Sequence, residues 1–104
     1  MNEYRAVISG GSQLAEQPMI LEQPGVCLSA QFVDNAIRWA FRCAAEDGVD
    51  AVRNPYQVEL QVNGKPIATI TLDVWQELSR VLALVRIARA DGKSMVLRTM
   101  TIAD

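Results

Sequence analysis

Asn63-Gly64 stands between two runs that alternate apolar and polar residues, Tyr56–Val62 and Lys65–Leu72. Asn-Gly is the preferred centre of a type I′ turn, because both central residues need positive φ. That turn also matches the twist of two antiparallel strands. The pattern predicts a hairpin with Ile67, Thr69 and Thr71 on one face of the returning strand and Ala68, Ile70 and Leu72 on the other. Pro66 has no N–H for a ladder, so it belongs near the turn or on an edge. The chain must therefore contain an antiparallel sheet.

Two stretches carry helical periodicity. In Ala30–Asp47, the residues Phe32, Val33, Ala36, Ile37, Ala40, Cys43 and Ala44 share one side at 100° per residue, flanked by Trp39 and Phe41. Ser29 is placed as N-cap and Gly48 as the residue past the end. This apolar arc is wide enough to need more than one neighbour. The second stretch, Val74–Ala90, has Asp73 as N-cap, Gln76 completing a capping-box pattern and Gly92 beyond its end. Val74, Leu78, Val81, Leu82 and Val85 would form its core stripe.

Strands are expected at Glu3–Ser9, at Gly25–Ser29 as a short lead into the first helix, and at Ser94–Ile102. The resulting order suits an α+β, ferredoxin-like (split βαβ) two-layer sandwich, with both helices on one face of an antiparallel sheet and an extra N-terminal strand. An offset of 44 residues maps Phe41–Val52 onto Val85–Val96, which would suit duplicated halves. The 104 residues make one domain, with an N-terminal strand and Pro-flanked segment at 1–28 and a main body at 29–104.

Glu-Gln-Pro occurs twice, at Glu16–Pro18 and Glu22–Pro24, around Met19-Ile20-Leu21. Each proline pushes the residue before it out of the helical region. The fenced residues are therefore extended, either plugging the end of the sandwich or offering an edge to a partner.

Half the residues are apolar and 21% are charged, which separates the chain from disordered sequences. No apolar run is long enough to cross a membrane as a helix, and the N-terminus lacks the apolar centre of a signal peptide. The expected location is cytoplasmic, with Cys27 and Cys43 as free thiols. The net charge of −2 and eight scattered Arg argue against nucleic acid as a partner.

The chain has no histidine, which removes His-dependent triads and imidazole metal sites. Two cysteines alone do not build a four-ligand zinc site. The sequence Ser9–Ser12 lacks the rest of a phosphate-binding loop, and Glu46–Asp50 does not have the ligand spacing of an EF-hand. Asp73 and Glu77 suit a helix start. No catalytic, cofactor or metal residue is assigned.

The expectation is a non-catalytic protein-interaction module of the inhibitor, adaptor or immunity/anti-defence kind found in bacteria and phage, binding another protein or a second copy of itself. The alternative is a small ligand sensor or enzyme on the same scaffold. On a helical Val74–Ala90, Arg80, Leu84 and Ile87 would form an apolar patch on the face away from the core, a candidate dimer surface. Met19, Ile20, Leu21 and Trp39 complete the candidate contact residues.

Overall fold

The computed structural model describes residues 1–103. Six strands, β1 Asn2–Gly10, β2 Leu14–Gly25, β3 Gln57–Val62, β4 Lys65–Glu77, β5 Arg80–Arg89 and β6 Ser94–Ala103, form one antiparallel sheet in the order β2-β1-β3-β4-β5-β6. Two helices, α1 Ala30–Asp47 and α2 Val49–Arg53, lie between β2 and β3 in the chain.

The ferredoxin-like expectation is overturned. Val74–Ala90 is not a helix: it is the end of β4, a two-residue turn at Leu78-Ser79, and β5. Pairing runs without a break from Ala68↔Arg89 to Glu77↔Arg80. The same residues that fit a 3.6-residue period also fit a period of two, with Val81, Ala83, Val85 and Ile87 on one face. A continuous partner strand decides between them, and the β-branched side chains favour the extended form. One long helix remains, which rules out the two-helix sandwich. The proposed duplication fails with it, since Phe41–Val52 is helical whereas Val85–Val96 is strand and turn. Gly25–Ser29 is mainly a connector rather than a strand, because β2 has already run to Gly25.

The expected hairpin is present, with Asn63 at φ 50° and Gly64 at φ 82°. The first helix has its expected bounds, and the Ser29 side chain accepts from the Phe32 N–H. Ala36, Ala40 and Ala44 recur every four residues and are fully buried. Their small side chains let the α1 backbone approach the sheet, while Ile37 and Phe41 fill the space beside them. The sheet supplies Ala6, Ile8, Val58, Leu60, Ile70, Leu72, Ala83 and Val85 to the same core. Of the two rings flanking the helix's apolar arc, Phe41 is buried and Trp39, 43% exposed, is partly covered.

The sheet curls round α1. Ser29 hydrogen-bonds Gln23 of β2, one outer strand, and Asp34 bonds Arg98 of β6, the other. Those two helix positions are about 8 Å apart by helical rise. Six strands laid flat would set the outer two about 24 Å apart. The start of α1 therefore contacts both margins of the sheet.

Candidate interaction surface

The two outer strands differ in chemistry. In β2, Pro24 lies opposite Glu3 within the ladder, and Pro18 lies between Leu14 and Met19 on the same strand. A proline is accommodated in a paired strand only where its missing N–H would point to solvent. The even-numbered positions of β2 therefore face outward, and Pro18 and Pro24 offer no donor to an incoming strand. Met19 and Leu21, between them, turn toward α1 and pack on the core, while Ile20 is 52% exposed on the opposite face. The proline fence thus encloses a strand that seals its side of the core and blunts its own edge.

β6 has none of this protection. It contains no proline, and Arg98 is its sole charged residue. Among the described residues no strand lies beyond it. Met95, Val96, Leu97 and Ile102 are exposed along it, Met95 and Val96 by more than half. A register shift between Val85 and Arg86 of β5 leaves Leu97 as the extra residue of a bulge, since Val85 pairs with Arg98 and Arg86 with Val96.

That bulge places Leu97 and Arg98 beside the first turns of α1. Together with Ala30, Gln31, Val33, Asp34 and Ile37 they line an open trough of about 710 Å³. Its walls are mainly apolar, with one cluster of charge. Asp34 accepts from Arg38 at 2.6 Å and also bonds Arg98. The guanidinium of Arg38, and after it that of Arg98, holds the Asp34 carboxyl below the usual carboxylate range. On the outer face of α1, the Arg42 guanidinium lies 5.5 Å from the centre of the Trp39 ring.

A second polar cluster lies at the other end of α1. Asp47 accepts from the Ser12 backbone N–H at 2.9 Å, the Ser12 hydroxyl at 3.1 Å, Gln13 at 2.8 Å and the Tyr56 hydroxyl at 2.5 Å. Burial alone would raise its pKa, but these bonds outweigh that and hold it at about 2. Burial, and then the Asp47 carboxylate, pushes the Tyr56 phenol well above its ordinary value. Gly11 sits against this cluster at φ +55°, and a Cβ there would fall 2.0 Å from an Asp47 oxygen. The acceptor and its donors satisfy one another. The arrangement clasps the β1–β2 turn to the end of α1 and the start of β3.

Arg80, Leu84 and Ile87 do not form the patch expected of them. Arg80 is exposed at the start of β5, opposite Glu77. Leu84 is half-buried on the face away from α1, between Asp73 and Thr99. Ile87 is on the other face, opposite Ile70, and packs on the core. Residues an odd number apart on a strand point to opposite faces, so the helical wheel joined side chains that the sheet separates. Ile20 and Trp39 are exposed, but at β2 and on the outer face of α1 respectively. The sequence reading missed Met95, Val96, Leu97 and Arg98. The available signal was the absence of proline and acid from Ser94–Ile102.

Among the described residues no three His, Cys, Asp or Glu side chains converge as a metal site, and no helix is long and apolar enough to cross a membrane. Compared with known protein families, curated proteins and solved structures, the chain matches none.

Proposed function

We propose that this chain is a non-catalytic protein-interaction module that works by accepting an extended segment along the β6 edge. The observation that carries the reading is the contrast between the sheet margins: β2 bears Pro18 and Pro24, while β6 has unblocked backbone and exposed Met95, Val96, Leu97 and Ile102. An added strand gains main-chain hydrogen bonds from the edge and specificity from side chains that alternate between its faces. On the α1 side, those side chains would meet the apolar trough beside Leu97 and the Asp34–Arg98 pair. Leaving such an edge bare exposes a protein to unwanted pairing, so a bare edge of this length is well matched to a partner.

A photoreactive residue at position 97, expressed in the native cell, tests this. The expected result is a discrete cross-linked product from position 97 and none from the same group at position 18. Absence of product from 97, or equal products from both edges, overturns the reading. The trough also supports a second reading, an apolar small molecule held against Val33, Ile37 and Leu97, because its volume lies in the range of ligand sites. Its openness along the strand favours the first.

A further inference from the structure

We infer that the segment added to β6 is β6 of a second copy, so that two chains join about a two-fold axis into one continuous sheet with both α1 helices on the same side. This rests on the strand-addition reading above and names its partner.

The first argument is closure. Stacking β6 of one copy on β2 of the next would build an open filament, and the missing N–H groups of Pro18 and Pro24 oppose it. The edge contact that remains is β6 with β6. It uses the same surface on both copies and ends at two.

The second argument is register. A two-fold axis perpendicular to the sheet pairs residues that share a face, so it must pass through a residue of β6 and not between residues. β6 spans Ser94–Ala103 and therefore overlaps itself most fully with the axis at Arg98 or Thr99. An axis at Arg98 sets two guanidinium groups directly opposite, which is destabilising. An axis at Thr99 avoids this. It places Arg98 opposite Met100 of the second copy, and past the bulge at Leu97 the shared faces set Val96 opposite Thr101 and Met95 opposite Ile102. The exposed Met95 and Ile102, both on the α1 face, then cover each other.

The third argument is charge. The whole chain is net negative. However, Ser94–Ala103 contains no acidic residue, and Arg98 keeps its own Asp34. The merged ladder therefore brings no acid against acid, and the two guanidinium groups nearest the axis each retain a counter-ion. The two apolar troughs fall on the same side of the merged sheet and flank the axis.

The test uses the intact chain with Cys27, the exposed thiol, changed to Ser and the buried Cys43 left in place. Sedimentation of wild type well above micromolar concentration should give the mass of a dimer. Thr99→Cys should then be joined to its mate by a short thiol-reactive linker. Thr101→Cys should not be, because the two positions lie about 13 Å apart along the paired strands. The double substitution Leu97→Lys, Ile102→Lys at the exposed edge should give a monomer, with near-wild-type circular dichroism showing that the fold is kept. If that pair fails to fold, the linker experiment decides alone. A monomeric wild type, or a dimer in which Thr101→Cys links as fast as Thr99→Cys, overturns the inference. If the chain is monomeric while position 97 photo-cross-links to a different protein, the second copy is refuted and strand addition stands. If position 97 yields no product in the cell and the chain is monomeric, both fall.

Discussion

Asp47→Asn should destabilise the fold in a pH-dependent way, and its size follows from the clasp. The native carboxyl titrates at about 2 against 3.8 for an unconstrained Asp. A difference of nearly two units at about 1.4 kcal/mol each gives about 2.5 kcal/mol, which solvent screening of this partly exposed carboxyl reduces to about 2 kcal/mol of stability. Because the native pKa is the lower one, the unfolded chain binds the proton first as pH falls. The contribution is therefore complete above about pH 4 and fades as pH drops toward 2. Urea unfolding followed by the fluorescence of Trp39 and Trp75 provides the measurement. At pH 7 the Asn variant should be about 2 kcal/mol less stable than wild type, or roughly 8–15 °C lower in Tm. The gap between the two proteins should narrow steadily below pH 4. Equal stability at pH 7, or a gap that stays constant from pH 5 to pH 2, would refute the assignment of this energy to the ionised clasp.

Three further outcomes follow from local geometry. Gly11→Ala should cost more than about 2 kcal/mol in chemical denaturation, because its Cβ would meet Asp47 and Tyr56 within 2.6 Å and φ is +55°. Leu78→Gly should raise the thermal midpoint, since Leu78 is held at φ 54° while 86% exposed, and relief of that conformation is worth about 1 kcal/mol. An unchanged or lower midpoint would mean that the leucine makes a contribution the geometry does not reveal. In native protein a thiol reagent should label Cys27 rapidly and Cys43 only on unfolding, because Cys43 is buried and burial, reinforced by Glu46 and Asp47, raises its pKa. Fast labelling of both would show that α1 lifts from the sheet.

The parts of this fold that could be read from sequence are those with a local chemical signal. Asn63-Gly64 marked its hairpin, Ser29 and Gly48 bounded α1, and the two prolines kept Met19–Leu21 extended. The β4–β5 hairpin had no such mark. Its turn is Leu78-Ser79, where only Leu78 takes positive φ, a position at which glycine is the usual residue. Asp73 imitated a helix cap, yet it bonds Arg86 across the ladder at 2.8 Å. The stripe Val74, Leu78, Val81, Leu82, Val85 fitted a helix, and nothing local revealed that Val74 faces Ala83. The candidate site was hidden for a different reason. That Ser94–Ile102 is a strand was legible, but whether a strand lies at the margin is a property of the whole topology. Here it depends on β1 inserting between β2 and β3.

That insertion also governs how the chain assembles. β1 meets β3 through pairs from Ser9↔Gln57 to Tyr4↔Val62, which are separated by 48 and 58 residues. Every other ladder joins strands consecutive in sequence. During synthesis the β1–β2 hairpin and α1 are complete before any of β3 exists, so one flank of β1 waits unpaired while several seconds of chain are made. The β3–β6 meander can form from its own short-range turns, and the two halves then meet along a single seam. A backbone cut at Asn54-Pro55, in the connector after α2, leaves each half with all of its sequence-local ladders. The two fragments should recombine when mixed, with the β1–β3 ladder as the last to close.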